Sequence, residues 1–284
     1  MHSGLKLAFC ASHQKNDFII GATETIRETA AEAGAEMLIY DANQNAAKQA
    51  GQVENLITQG IDGILIEPVS REALAQAVAS CREAGIPIIT FNQRVSNQSE
   101  ATSFVGVDMV QGGQMEMSMA AEALGGRGDI VILHGIMGGD AQAGREQGYR
   151  QVLERYPEIR VTAAQSGNWV REDAYLIVEN WIQSGKTFDA VVSQNDAMAL
   201  GAIRALEEAG LTGRVKVFGI DATPEGLQAV REGKLTSTLS QNADRQGTIA
   251  VNALIDAARG KDVSPEYLID HLLVTPSTVD SAPQ

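Results

Sequence analysis

The amino-acid sequence predicts an α/β protein of two doubly wound parallel-sheet lobes joined by a three-strand hinge. Strand-like and helix-like patterns alternate along almost the whole chain, as they do in βαβ units. The alternating series occurs twice, which predicts the same architecture in two successive lobes. A length of 284 residues also suits two domains of ordinary size better than one small core.

The first series of patterns fills the amino-terminal part of the chain. Short apolar runs predict strands, and apolar residues at helical spacing predict the helices between the first four strands. The predicted strands are 5–11, 36–41, 63–67, 87–91 and 103–107, and the predicted helices are 19–33, 46–59 and 72–84. Residues 105–108 pass directly from strand to helix, which predicts a stiff hinge and not a flexible tether.

The second series repeats the alternation. It predicts helices at 112–124, 145–156, 171–184 and 197–210, and strands at 129–134 and 160–164, followed by two strands between 188 and 221. A helix at 246–258 and a strand at 267–274 come after this series is complete, so we expect the chain to return to the first lobe and leave it again. The expected lobes are residues 4–107 with 243–271, and residues 108–242 with 272–284.

Composition and charge exclude several classes of function. A net charge of -14 without a Lys/Arg-rich stripe disfavours nucleic-acid binding. Cys10 and Cys81 lack metal-ligand or CxxC spacing and are expected to be small buried hydrophobes. No apolar run reaches the ~18 to 20 residues that cross a bilayer, and no signal-peptide pattern is expected before the strand at 5–11.

Polar side chains follow two neighbouring strands of the second series. Asn195 and Asp196 come after one strand, and Asp221 comes after the next. Because ligands of open parallel sheets bind outside the carboxyl ends of the strands, Asn195 and Asp221 are predicted to contact a small molecule. Asp196 directly precedes a helix and is predicted to be its N-cap.

Motifs of catalysis are missing from the sequence. It contains no GxSxG, HExxH or GxxxxGK[ST], and no GxGxxG follows the first strand. The histidines are dispersed and lack metal-ligand spacing: His2, His13, His134 and His271. We therefore expect no cofactor, no metal and no enzymatic activity.

Several motifs together resemble the type I periplasmic binding proteins for sugars, most closely the ribose-binding group, over residues 5–274. They are Ser12-x-x-x-Asn16-x-Phe18, Asp62-Gly63-Ile64-Leu65-Ile66-x-Pro68, Gly85-Ile86-Pro87-Ile88-Ile89, Arg145-Glu146-x-Gly148-Tyr149, Gln194-Asn195-Asp196-x-Met198-Ala199-Leu200-Gly201-Ala202 and Gly219-Ile220-Asp221-x-Thr223-Pro224. The resemblance implies a hinged receptor that closes on one sugar. It also implies a periplasmic location, an ABC-transporter permease as partner and a monomeric state.

The resemblance also implies a set of substrate-binding residues. Matched position by position, these are Asn16, Phe18, Glu67, Asn92 and Gln93 in the first lobe, and Arg145, Trp169, Asn195, Asp221 and Gln241 in the second. Ribose binders usually carry an amide at the position of Glu67, an Asp-Arg pair at Asn92-Gln93 and a serine at Val107. The loop at 136–143 is also about two residues longer. The receptor role is therefore expected here, but ribose is not assigned as the ligand.

The chemistry of these side chains suits a neutral monosaccharide or small polyol, such as a pentose, a hexose or a branched sugar. Each hydroxyl both donates and accepts, and burying it without a partner is costly. Asp221 and Glu67 accept hydrogen bonds, Arg145 donates them, and the amides do both. Trp169 and Phe18 are expected to cover apolar ring faces. Either aromatic residue also fits a core position, and Glu67 also fits a solvated loop.

Two other functions remain open from the sequence. One is the effector-binding core of a lactose-repressor-type regulator, a class that carries a helix-turn-helix before its first strand. The other is an enzyme acting on sugars, for which Glu67 and Asp221 are the one credible pair of carboxylates.

Overall fold

The structure is a computed structural model that describes residues 4–282. The chain divides into two compact units. The first extends to Val107 and also contains Gly138–Asp140 and Ala243–Ile269, and the second contains Asp108–Met137, Ala141–Asn242 and the chain from Asp270 onward. Residues 283–284, which we assigned to the second lobe, lie outside the described residues, as does His2.

Strands and helices alternate along the described chain. The strands are β1 (Lys6–Ala11), β2 (Glu36–Asp41), β3 (Gly63–Ile66), β4 (Ile88–Phe91), β5 (Ser103–Gly106), β6 (Arg127–His134), β7 (Glu158–Ser166), β8 (Ala190–Ser193), β9 (Lys216–Phe218), β10 (Thr238–Ser240), β11 (Glu266–Leu268) and β12 (Leu272–Val274). The helices are α1 (Asp17–Glu32), α2 (Ala46–Gln59), α3 (Ala75–Ala84), α4 (Met109–Ala123), α5 (Asp140–Leu153), α6 (Arg171–Gln183), α7 (Asp196–Glu208), α8 (Pro224–Arg231) and α9 (Ala243–Ala258).

The first unit is built on a parallel sheet with the strand order β11-β5-β4-β3-β1-β2. Strand β3 is buried at all four positions, as expected of a central parallel strand covered on both faces. The register aligns Cys10 with Ile66 and Ile66 with Thr90, so β1, β3 and β4 end at one edge of the sheet. Cys10 and Cys81 lie in this core, and burial raises the pKa of each thiol to about 12.

The second unit has a parallel sheet with the strand order β7-β6-β8-β9 and a separate antiparallel pair, β10 with β12. Its apolar core includes Ile130, Val192 and Phe218 from three of the strands, with Met117 of α4 packed against them. The predicted α/β class with parallel sheets is therefore confirmed. Within the described residues, no helix combines the length and the apolar character needed to span a bilayer.

The prediction of one late strand over 267–274 is wrong. The segment forms two short strands: β11 pairs with β5 in parallel, and β12 pairs with β10 in the antiparallel sense. A continuous apolar pattern does not reveal this change of partner. Strand β10 and helix α8 were not predicted at all. Helix α5 begins at Asp140, five residues before the predicted start.

Candidate functional site

Glu67 joins two loops at the carboxyl edge of the first unit's sheet. One carboxylate oxygen, Oε2, accepts a hydrogen bond from Ser12 N at 3.0 Å, and Oε1 accepts one from Gln93 Nε2 at 3.2 Å. The residue is 2% exposed, so the interpretation of Glu67 as a solvated loop carboxylate is wrong. Burial raises the pKa of Glu67, and hydrogen bonds from the backbone and side chain of Ser12 and from Gln93 oppose that shift.

Gln49, which the sequence analysis missed, holds the backbone at the same edge. Its Nε2 donates to Cys10 O at 3.0 Å and to Glu67 O at 2.8 Å, and its Oε1 accepts from Val69 N at 2.9 Å. The side chain is fully buried on α2. The sequence signal that could have revealed this role is a glutamine on the apolar face of an amphipathic helix, because a buried amide needs hydrogen-bond partners.

Asn16 and Phe18 follow β1. Asn16 is the N-cap of α1, and its Oδ1 accepts from Ile19 N at 3.0 Å. The side-chain carbonyl of Asn16, a predicted ligand contact, thus stabilises the start of α1. Phe18 is buried, so the structure places it in packed surroundings.

Asn92 ends β4 with φ +58, in the left-handed region that asparagine tolerates better than most residues. Its backbone N–H donates to Val105 O at 2.8 Å. Its side-chain Oδ1 is buried and accepts no hydrogen bond from the described residues. Asn92 therefore presents an unsatisfied acceptor beside Gln93.

Arg145, Trp169 and Asn195 are brought together in the second unit. Arg145 is 2% exposed; its Nη1 donates to Gln194 O, its Nη2 lies 3.8 Å from Met109 Sδ, and its Nε has no partner among the described residues. The guanidinium carbon lies 5.6 Å from the centroid of the Trp169 ring. Asn195 Nδ2 lies 3.5 Å from Trp169 O, which completes the cluster.

Trp169 sits on a strained turn. Asn168 and Trp169 have φ +54 and +65, which is uncommon for consecutive residues other than glycine and unusual for a bulky aromatic residue. Such strain is concentrated at ligand clamps and active sites. The indole is buried, yet it belongs to a loop after β7 and not to a regular element.

Asp221 and Gln241 form a second pair in this unit. Gln241 Nε2 donates to Asp221 Oδ1 at 2.6 Å, and Asp221 N donates to Leu239 O at 2.8 Å. Asp221 has φ +133, an unfavourable backbone conformation that places it among the strained residues of the molecule.

The prediction that Asp196 caps a helix is wrong. The N-cap of α7 is Asn195, whose Oδ1 accepts from Met198 N at 3.0 Å. Asp196 is fully buried, and its carboxylate accepts from Thr223 N at 2.9 Å and from Thr238 Oγ1 at 2.7 Å. Burial raises its pKa to about 6. Asp196 therefore holds the loop that carries Asp221.

Glu116 and Tyr149 are a buried pair that the sequence analysis also missed. Tyr149 Oη donates to Glu116 Oε2, and Oε1 of the same carboxyl group has no partner among the described residues. Burial raises the pKa of Glu116 to about 8, against the opposing effects of Tyr149 and Arg145. The carboxyl group is therefore mostly protonated at neutral pH.

The described histidines are dispersed and do not cluster as metal ligands. His13 is buried, its Nδ1 accepts from Lys15 N at 3.1 Å, and burial lowers its pKa to about 4. His134 Nε2 lies 3.7 Å from Glu146 Oε2, and burial lowers the pKa of His134. Between residues 4 and 282, no group of three or more His, Cys, Asp or Glu side chains is arranged to hold a metal ion.

Comparison with known proteins identifies the family. Residues 7–262 match the model of the periplasmic binding protein domain. The chain belongs to this family of periplasmic binding proteins. The family resemblance noted in the sequence is thereby confirmed, and the chain is a binding protein and not an enzyme.

Individual relatives of this periplasmic binding protein agree over most of its length. The xylitol-binding protein of Mycolicibacterium smegmatis is 38% identical over 95% of this chain and 77% of its own. The ribose import binding protein of Escherichia coli K12 is 31% identical over 94% of this chain and 90% of its own. The structure of an ABC transporter solute binding protein from Bacillus halodurans with bound myo-inositol has a TM-score of 0.93 and 37% identity, covering 98% of this chain and 97% of that one.

Proposed function

We propose that the protein is the solute-binding receptor of an ABC transporter, acts outside the cytoplasmic membrane, and binds a neutral monosaccharide or small polyol. The family membership supports the receptor role. The relatives named above are a xylitol-binding protein, a ribose import binding protein and a solute binding protein that holds myo-inositol. All three ligands are small, uncharged and rich in hydroxyl groups.

The observation that carries the proposal is that Arg145 is buried and that its Nε–H has no hydrogen-bond partner among the described residues. A buried guanidinium whose Nε–H lacks a partner is expensive unless a ligand satisfies it. The neighbouring Trp169 offers an aromatic surface, and Asn195 offers an amide. A hydroxyl-bearing ring supplies an acceptor for Arg145 and an apolar face for the indole.

The proposed ligand contacts come from both units. They are Asn16, Phe18, Glu67, Asn92 and Gln93 from the first, and Arg145, Trp169, Asn195, Asp221 and Gln241 from the second. We propose that the ligand binds in a cleft between two lobes, 4–107 with 243–271 and 108–242 with 272–284, which close by hinge motion. Micromolar binding corresponds to roughly 8 kcal/mol, which exceeds the ~5.5 kcal/mol that shifts a two-state equilibrium from mostly open to mostly closed.

The proposed partner is the membrane permease of the transporter, and the receptor is proposed to act as a monomer in the periplasm. The net charge of -14 disfavours nucleic acid as a partner. The relatives favour this function over the effector-binding core of a transcription regulator, because the named relatives are solute-binding or import proteins.

A thermal-shift panel tests the proposal. The panel contains D-ribose, D-allose, xylitol, myo-inositol and related sugars and polyols. A ligand at 100 times its dissociation constant adds about 2.7 kcal/mol to the free energy of unfolding, so a true ligand raises the melting temperature clearly. No response to any sugar or polyol contradicts the proposal. Mass spectrometry of the small molecules that co-purify with the protein identifies the candidate ligand.

Two matched variants then locate the site. Arg145→Lys replaces the planar guanidinium fork by a single ammonium group, and we expect it to weaken binding at least tenfold. Arg150→Lys makes the same change on the exposed side of α5 and is expected to leave the affinity unchanged. Equal affinity in both variants contradicts a ligand contact by Arg145.

A further inference from the structure

We propose that Glu67 and Asn92 form a subsite for a protonated amine, so that an amino-substituted polyol binds more tightly than the neutral polyol of the same shape. The inference rests on the proposed function and names a chemical class of ligand within it. It concerns the first unit alone and follows from a buried carboxyl group without a counter-ion and a buried amide oxygen without a donor at the carboxyl edge of its sheet.

The buried carboxyl group of Glu67 has no positively charged partner among the described residues. Among residues 4–282, no Lys, Arg or His nitrogen lies within 4.0 Å of its carboxylate. A buried carboxylate without a counter-ion is costly, and the raised pKa of Glu67 reflects that cost. A ligand that brings a positive charge removes the cost.

The arginines of the neighbouring loops are engaged with other carboxylates. Arg71 Nη1 lies 2.9 Å from Asp140 Oδ1, and Asp140 Oδ2 also accepts from Arg94 N at 3.0 Å. Arg94 Nη2 pairs with Glu266 Oε1, while its guanidinium lies 3.6 Å from the centroid of the Phe104 ring. Neither arginine therefore neutralises Glu67.

His13 and Lys15 do not supply the charge either. His13 lies in the loop that also provides Ser12, but burial lowers its pKa to about 4, so the ring is neutral at physiological pH. Lys15 is exposed and makes no ion pair with a described carboxylate. No cation of this loop lies close enough to balance Glu67.

Two acceptors at this edge have capacity for further hydrogen bonds, the Glu67 carboxylate and Asn92 Oδ1. An ionised carboxylate accepts up to about four hydrogen bonds, and Glu67 interacts with three donors of the described residues, namely the backbone N–H and the hydroxyl of Ser12 and Nε2 of Gln93. Asn92 Oδ1, on the adjacent strand end, is buried and receives none. Ile66 of β3 pairs with Thr90 of β4, so Glu67 follows its strand at the level of Phe91, the residue directly before Asn92.

An ammonium group fits this set better than a hydroxyl group does. It carries three donors, so it can serve the Glu67 carboxylate and Asn92 Oδ1 together, whereas a hydroxyl brings a single donor. An ammonium group also brings a positive charge, and an opposite charge close to a carboxylate favours its ionised form. The subsite therefore favours an amino-deoxy derivative in which nitrogen replaces the hydroxyl oxygen nearest Glu67.

Isothermal titration calorimetry at pH 7 tests the inference with matched probes. Xylitol, myo-inositol, scyllo-inositol and D-ribose are each compared with their mono-amino-deoxy derivatives. We expect at least one amine to bind about tenfold more tightly than its parent, because only the ammonium group brings a positive charge to the buried carboxyl group of Glu67. If a neutral polyol binds and every amine binds equally or more weakly, the inference is overturned and the proposed function stands. If none of the probes binds, both fail.

Variants assign the preference to residues. In Glu67→Gln the amine-to-parent affinity ratio is expected to fall to one or below, while Glu36→Gln, an exposed carboxylate of the same sheet, keeps the wild-type ratio. In Asn92→Asp a second carboxylate is added at a position whose backbone tolerates aspartate, so the ratio is expected to rise. The assignment of the amine subsite to Glu67 and Asn92 is overturned if both variants fold and both keep the wild-type amine-to-parent affinity ratio.

Discussion

The indole of Trp169 occupies the space that a side chain at Gly135 would need. A Cβ atom on residue 135 would lie 1.9 Å from Cζ2 of Trp169, far inside the contact distance of two carbon atoms. Ser166, two residues before the turn that carries the indole, donates from Oγ to Gly135 O at 2.6 Å. Gly135 thus sets where the aromatic surface beside Arg145 lies.

Gly135→Ala is expected to displace the indole and weaken ligand binding at least tenfold, while the fold is retained. Binding is measured by calorimetry, and tryptophan fluorescence reports the altered surroundings of Trp169. Gly51→Ala is the control, since a Cβ there meets no atom within 4 Å and alanine favours the helix by about 0.5 to 1 kcal/mol. Unchanged affinity in Gly135→Ala removes Trp169 from the site.

Asp221→Asn is expected to weaken binding by about 2 kcal/mol, or roughly thirtyfold, because a charged acceptor becomes a neutral one. Asparagine has nearly the same shape as aspartate, so the variant should keep the backbone conformation that aspartate already adopts at φ +133. Calorimetry with the ligand found in the sugar panel gives the affinity. Asp262→Asn, at an exposed position, controls for the loss of one charge, and equal affinities in the two variants rule out a contact by Asp221.

The sequence predicted the α/β fold well because buried parallel strands and amphipathic helices carry distinct periodicities. It also placed Glu67, Asn92 and Asp221 at strand ends. It failed to say which of two adjacent residues caps α7. Asn195 and Asp196 are both residue types that favour the N-cap position. Asp196 instead binds Thr223 and Thr238, which are distant in sequence.

Other features depended on long-range partners and were beyond the reach of local patterns. Glu116 lies on a helix rich in Met, Ala and Gly, and its partner Tyr149 is 33 residues away. The late segment changes partner between β5 and β10 without any break in its apolar character. Local propensity carries no information on such pairings, which tertiary structure decides.

Glu116→Gln is expected to remove a pH dependence of stability. Burial raises the pKa of Glu116 to about 8, whereas glutamate in an unfolded chain titrates near ~4.3. The folded state therefore binds the proton more tightly. The stability from this group is full below pH ~4, falls as the pH rises towards 8, and stays constant above it. Tyr149, Arg145, Asp196 and Asp221 are the charged or titratable groups that act on Glu116.

Urea unfolding at pH 5, 7 and 9 measures this effect. Relative to wild type, the free energy of unfolding of Glu116→Gln should improve by a few kcal/mol between pH 5 and 9, since each pKa unit corresponds to about 1.4 kcal/mol. Glu122→Gln changes an exposed carboxylate of the same helix and should follow the wild-type profile. Parallel profiles for all three proteins contradict the role assigned to the buried carboxyl group.

Asp196→Ala is expected to destabilise the protein by about 3 kcal/mol or more. The substitution leaves the backbone N–H of Thr223 and the hydroxyl of Thr238 buried without their acceptor, and each unsatisfied group costs about 1 to 3 kcal/mol. Gly219 and Gly226 lie directly against the Asp196 carboxylate, since a Cβ at either would be within 2.4 Å of one of its oxygens. These glycines have no side chain to fill the space that the carboxylate leaves. Urea unfolding at pH 7, with the exposed Asp262→Ala as control, gives the loss. A difference below about 0.5 kcal/mol between the two variants, the range typical of surface substitutions, shows that Asp196 does not anchor the loop before α8.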